Sequence, residues 1–258
     1  DDEIFIDKLP GKFPELICFR LNPGNRKTGD EVNEIIGNPV DAKYGVPIEN
    51  IIDAYRRAQQ KGAKYFGLHT MVCSNDRNYV HMVNTVKLLL QVASDLYSHL
   101  GIRVEFINIG GGIGIPYRLS DNEFNILRLA QESSELFKKF GSVYGFTPKL
   151  FMESGRYVTG PHGVLVNRII NVYEKYRRFV GVEVAMPGLM RVGMYGANGY
   201  HHNYILSPEG VLRIDDIVEQ SIVGPICENC DRLADKVQMP LAFEGDLAVT
   251  CDTGAHGT

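Results

Sequence analysis

Short apolar runs alternate with helix-period segments at a steady interval through the first 150 residues, and this constrains the fold more than any other feature of the sequence. Leu16-Ile-Cys-Phe-Arg-Leu21 is an apolar run ended by Asn22-Pro23-Gly24, a turn signal. Apolar residues at 48, 51, 52, 55 and 58 form a helical stripe with Gly62 just beyond it. Tyr65 to Leu68 reads as the next strand and Asn78 to Leu100 as a long helix stopped by Gly101. Val104 to Ile109 reads as a strand that enters Gly110-Gly111-Gly112. Ser120 and Glu123 form a capping-box pattern that predicts a helix running to about Phe140, and Lys149 to Met152 reads as a fourth strand. Such alternation implies parallel strands joined by crossover helices. A doubly wound sheet and a (β/α)₈ barrel both fit, and a barrel needs more strands than the four visible.

The pattern changes after about Gly160. Val164–Tyr173, Arg178–Val184, Tyr204–Leu206, Ser221–Val223 and Leu247–Cys251 are β-like and separated by Gly/Pro turns, with one short helix expected near Arg232–Lys236. The expected division is therefore an α/β part over residues 1–160 and a mainly β part over 161–258. Both ends read as cuts, because the chain opens almost directly into a strand and stops just after one. Apolar residues make up 44% and the net charge is -4, so the sequence offers no electrostatic footprint for nucleic acid. No apolar run approaches a membrane span, and Asp1-Asp2-Glu3 is unlike a signal peptide. Five cysteines are too few and odd in number for a disulfide framework, which points to a reducing, cytoplasmic setting.

Four stretches can carry chemistry. The glycine run 110–112, with Gly114 and Pro116 following, lets backbone amides converge on an anion, or it is simply a tight turn. It is not a dinucleotide fingerprint, because Ile115 stands at the position of the third glycine. Glu153 and Arg156 follow a strand, where barrels place their chemistry, and they could equally be a surface ion pair. Ser74 lies after another strand and could donate to phosphate, while His69 nearby could be a base or a core histidine. Cys227-Glu228-Asn229-Cys230 has only the adjacent His201 and His202 as further ligands, so no metal is expected there. Arg191 and Tyr195, read as loop residues, could grip a carboxylate.

Taken in order, these motifs resemble one family. Arg20-Leu-Asn-Pro23-Gly24, Lys43-Tyr44-Gly45, His69 to Ser74, Asn108 to Tyr117, Glu153-Ser-Gly-Arg156, Arg191 to Tyr195, Gly224-Pro-Ile-Cys227-Glu228 and Asp252-Thr-Gly-Ala255 follow the succession in diaminopimelate decarboxylases. These belong to the ornithine/diaminopimelate/arginine decarboxylases, within the alanine-racemase-like class of pyridoxal 5'-phosphate (PLP) enzymes. The resemblance covers essentially the whole chain. It implies a PLP-binding (β/α)₈ barrel, incomplete here, plus a β domain. It further implies a carboxy-lyase converting meso-2,6-diaminopimelate to L-lysine and CO₂, and a homodimer. By resemblance, Ser74, Gly110, Gly111, Gly112, Gly155 and Arg156 hold the cofactor and Glu153 faces its pyridine nitrogen. Arg156, Arg191, Tyr195 and Glu228 bind the substrate, and Cys227 returns a proton to its α-carbon.

Three departures stand out. No Tyr-Ala-x-Lys-like segment supplies the Schiff-base lysine, so these residues alone are expected to be inactive. Met71 replaces the histidine that stacks on the ring. His256 replaces a tyrosine that contacts cofactor and substrate, and it is expected to stand in for that tyrosine at the cofactor. The rival readings are a related PLP decarboxylase of another basic amino acid or polyamine precursor, and a non-catalytic relative.

Overall fold

The computed structural model describes residues 2–25 and 38–255. They form two compact units. The first runs to Gly114 and resumes over Glu123–Ser154; the second comprises Ile115–Asn122 and the chain from Gly155 onward.

The first unit begins with a single helical turn, α1 (Phe5–Lys8), and is built on five strands: β1 (Leu16–Asn22), β2 (Val46–Pro47), β3 (Tyr65–His69), β4 (Phe106–Asn108) and β5 (Lys149–Phe151). They lie in the order β2-β1-β3-β4-β5 and every neighbouring pair is parallel. The sequence reading missed β2, which is only two residues long. Crossovers are α2 (Ile51–Gln60), α3 (Tyr79–Leu100) and α4 (Ile126–Tyr144).

Side chains alternate along each strand, so register decides what shares a face. Phe19, Leu21, Phe66, Leu68 and Ile107 are all buried. Tyr55 of α2 reaches in to join them. Its hydroxyl donates to the Gly67 carbonyl and accepts from the Phe19 amide, and its ring meets Phe19 edge-on. The opposite face carries Arg20, His69, Asn108 and Phe151, which are paired residue to residue across four strands. That row lies at the carboxyl ends of the strands.

The helix ends follow their caps. Asn78 Oδ1 accepts from the Val80 amide to start α3, and Gly101 ends it with φ +67°. The helix expected from Ser120 instead starts at Ile126, because Asn125 Oδ1 accepts from the Arg128 amide. Asp121 takes the amides of Tyr117 and Arg118, so residues upstream of the helix form a tight turn. The helix also runs past Gly141 to a cap at Gly145, φ +72°. A β-carbon at Gly141 would crowd the Thr147 hydroxyl, so the glycine lets that side chain lie against the helix.

In the second unit, β6 (Leu165–Glu174), β7 (Arg178–Val182), β8 (Asn203–Leu206), β9 (Ile217–Val223), β10 (Arg232–Pro240) and β11 (Leu247–Thr250) form one sheet in the order β10-β9-β7-β6-β11-β8. Among the described residues of this sheet, only β7 and β9 pair in parallel. Ile169, Val180, Val182, Leu189, Ile205, Ile222, Leu233, Met239 and Ala248 form its core.

Two expectations fail here. Arg232–Lys236 is strand rather than helix. β10 pairs with β9 through two register shifts, and Lys236 has φ +52°. A bulge breaks the two-residue alternation, which made the segment look helical in sequence. Arg191 and Tyr195 lie on a short helix, α6 (Met190–Tyr195), rather than in a loop. Pro187, Gly188, Gly193 and Gly196 disguised it. Gly193 is required there, since a β-carbon would sit 2.6 Å from the Cys230 carbonyl oxygen. A second short helix, α5 (Gly155–Thr159), opens this part of the unit. No helix among the described residues is long and apolar enough to cross a membrane.

Candidate active site

In the first unit the polar row at the strand ends meets the glycine loop. Asn108 ends β4 and uses both halves of its amide. Its Oδ1 accepts from the Gly110 amide at 2.9 Å, and its Nδ2 donates to Glu153 Oε1 at 2.7 Å. Glu153 lies two residues beyond β5, and its backbone amide donates to the Gly110 carbonyl at 2.8 Å. Its carboxylate is half exposed. The unpartnered Nε2 of His69 lies 3.8 Å from Glu153 Oε1. Burial lowers the His69 pKa against the pull of Glu153, so near neutral pH this imidazole is uncharged beside a carboxylate.

The glycines are dictated by crowding. Gly110 and Gly112 have φ +69° and +97°. A β-carbon on Gly110 would lie 2.7 Å from the Thr70 carbonyl oxygen, and one on Gly111 would lie 2.7 Å from that of Glu153. On Gly112 it would strike the Cys73 carbonyl. The loop is thus clamped between the segment after β3 and the end of β5. Met71 packs against it, with its side chain beside Gly110 and Gly111. The Asp76 amide and carbonyl tie the loop further, to the Gly112 carbonyl and the Gly114 amide. Among the described residues, the amides of Gly111 and Gly112 donate to no protein group. Ser74 lies in the same loop after β3, partly buried.

In the second unit the sequence-nominated residues fall into two groups. One surrounds Tyr117, which is buried. Arg156, on α5, donates through Nη1 to the Tyr117 hydroxyl. Arg191, on α6, lies over the Tyr117 ring with its guanidinium carbon 3.9 Å from the centroid. His201 meets the same ring edge-on at 4.8 Å. Arg191 is 2% exposed. Its two terminal nitrogens donate to the carbonyls of Tyr200 (2.9 Å) and Asn198 (3.0 Å), and its Nε is buried without a partner. The carboxylate grip expected of Arg191 is therefore directed here at main-chain carbonyls. His201 donates through Nδ1 to the Cys251 carbonyl at 2.7 Å, leaving Nε2 unpartnered. Burial is the main cause that pushes its pKa down to about 4.

The other group is the loop 224–231 with Cys227 and Glu228. Both are exposed, and Cys227 and Cys230 are free thiols. The loop is shaped by Asp231, 3% exposed, whose carboxylate accepts from the amides of Met186 and Ile226. Tyr195 is part-exposed on α6, and Gly155 is exposed at the start of α5. His256 lies outside the described residues. Sequence reasoning missed Asn108 as the clamp on Glu153, Tyr117 and His201 as the frame of the arginines, and Asp231 as the loop's organiser. The one available signal was position: Asn108 and Tyr117 flank the glycine run.

Residues 44–254 match the profile of the pyridoxal-dependent decarboxylase C-terminal sheet domain family. The chain belongs to this family. Among its relatives, the diaminopimelate decarboxylase of Methanothermobacter thermautotrophicus is 33% identical over 242 residues, covering 93% of this chain and 55% of that protein. The diaminopimelate decarboxylase of Thermoplasma acidophilum is 32% identical, covering 94% and 56%. Protein TabA of Pseudomonas amygdali pv. tabaci is 37% identical over 261 residues, covering all of this chain and 58% of that protein. A crystal structure of diaminopimelate decarboxylase superposes with a TM-score of 0.81 at 24% identity, covering 99% of this chain and 60% of that one. The fold is therefore the one expected: part of the PLP barrel, with a sheet domain. The chain spans a little over half the length of the curated relatives it matches.

The family's cofactor is PLP, and the first unit fits it. Two loop amides without protein partners suit a phosphate. A half-exposed carboxylate, fixed by Asn108 and flanked by a neutral imidazole, suits a protonated ring nitrogen.

Proposed function

We propose that the full-length protein decarboxylates meso-2,6-diaminopimelate to L-lysine and CO₂, using PLP. The observation that carries this is the clamped loop and carboxylate, Gly110–Gly112 with Asn108 and Glu153, in a chain whose relatives include several diaminopimelate decarboxylases. When bound, PLP supplies an electron sink for the bond to the departing carboxylate. Gly110, Gly111, Gly112 and Ser74 would hold its phosphate, and by resemblance Gly155 and Arg156 are further candidates for contact with the cofactor. Glu153 keeps a proton on the ring nitrogen, and Asn108 fixes the carboxylate that does so. Met71, which packs beside Gly110 and Gly111, would take the place of the family's histidine at the ring face. Arg156, Arg191, Tyr195 and Glu228 bind the substrate's carboxylates and distal amine. Cys227 carries the proton returned to the α-carbon, and the same loop places Glu228 beside it. Homodimer assembly and a cytoplasmic location belong to this reading.

A second reading, decarboxylation of another basic amino acid, is favoured by one observation: Arg191 has its terminal nitrogens on main-chain carbonyls. Assay of CO₂ release by the PLP-loaded full-length protein on diaminopimelate, lysine, ornithine and arginine decides between them. Preference for diaminopimelate supports the first reading, and no release from any substrate defeats both. Borohydride reduction followed by peptide mapping identifies the lysine that anchors PLP.

A further inference from the structure

We infer that Tyr117 is a positioning residue that holds Arg156 and Arg191 together as a preformed receptor for an anionic carboxylate. The inference rests on the reading above for the identity of that anion. It stands on geometry confined to the second unit.

Two guanidinium groups share one phenol. Arg156 donates to its oxygen and Arg191 lies on its face. The charge of Arg156 disfavours that of Arg191. Among the described residues, neither makes an ion pair with a carboxylate. Like charges this close repel, and an unpartnered pair of flexible arginines would splay apart. Neutral groups hold them instead. The carbonyls of Asn198 and Tyr200 take Arg191, the Tyr117 hydroxyl takes Arg156, and the ring fills the space beneath Arg191. His201 closes the ring's edge, and burial keeps it uncharged, so it adds no third cation near neutral pH.

Tyr117 is itself fixed. It is 5% exposed, and Asp121 accepts from its amide at 3.1 Å and from that of Arg118 at 3.0 Å. The result is two cations arranged in advance with no internal counter-ion, which is the electrostatic form of an anion receptor.

The test uses the full-length protein and three forms: wild type, Tyr117→Phe and Tyr117→Leu. Phe keeps the ring under Arg191 and removes the acceptor for Arg156; Leu removes both. The first readout needs no catalysis. Phenylglyoxal modification, quantified by mass spectrometry, follows the reactivity of each arginine. Arg156 is expected to react about three- to fivefold faster in Tyr117→Phe while Arg191 stays at its wild-type rate, and both are expected to accelerate in Tyr117→Leu. The second readout is the split between KM and kcat. Tyr117→Phe is expected to raise KM for the preferred substrate about tenfold and to change kcat by less than about threefold.

Circular dichroism reports whether each variant is folded, and Tyr117→Phe alone decides if Tyr117→Leu is not. A folded Tyr117→Phe with wild-type Arg156 reactivity and wild-type KM overturns the inference. If the wild type releases no CO₂ from any amino acid, the functional reading fails. The phenylglyoxal comparison then still decides the role of Tyr117.

Discussion

Consider replacing His201 with glutamine and lowering the pH. His201 is 1% exposed, and its Nδ1 is committed to the Cys251 carbonyl. Its pKa is pushed from 6.5 down to about 4, chiefly by burial, and the charges of Arg191 and Arg156 act in the same direction. The folded form therefore resists protonation, whereas the unfolded chain takes up a proton as pH falls through about 6.5. Stability from this group is fully present above pH 6.5, declines as pH drops, and levels off below about 4. At about 1.4 kcal/mol per unit, the window corresponds to a loss of about 3 kcal/mol. Glutamine can keep the hydrogen bond to Cys251 and does not titrate. The assay is urea unfolding of full-length wild type and His201→Gln at pH 7, 6, 5 and 4.5. Contributions of other histidines cancel in the comparison. The variant is expected to be less stable at pH 7, with the difference shrinking steadily toward pH 4.5. Parallel curves, or an imidazole NMR titration of His201 centred near 6.5, would refute the reasoning.

Two further substitutions probe the clamped elements. Gly112→Ala places a β-carbon against the Cys73 carbonyl at φ +97°, and it is expected to cost about 2–4 kcal/mol and to abolish PLP retention, read by unfolding and by absorbance after gel filtration. Asp231→Asn turns an amide NH₂ toward main-chain N–H groups that now meet a carboxylate, and a cost of about 1–3 kcal/mol is expected in urea unfolding. Equal stability of the variant would mean that the 224–231 loop does not depend on this carboxylate.

The strand and helix alternation was legible because core-facing residues obey a simple period: Phe19 and Leu21 alternate along β1 and Phe66 and Leu68 along β3, and Ile51, Ala54, Tyr55 and Ala58 follow a helical stripe. Legibility failed where the backbone departs from a period. The β10 bulge at Lys236 and the glycines in α6 erased it. The candidate residues were found through resemblance and their place after strands. Their supports were not, since burial and partner choice are long-range properties. Nothing in a spacing tells that Asn108 reaches Glu153, 45 positions away, or that His201 meets Cys251, 50 positions away.

The eight residues Ile115–Asn122 pack with the second unit yet interrupt the chain of the first. They leave the ribosome well before their companions on α5, α6 and the 196–201 turn. During synthesis Tyr117 must therefore wait, its ring uncovered, until Arg191 and His201 arrive more than 70 positions later. A fragment that starts after residue 160 would carry every strand of the sheet and still lack this ring. Shuffling the sheet domain between proteins at one splice point after residue 160 would for the same reason leave the buried Arg191 facing an empty space.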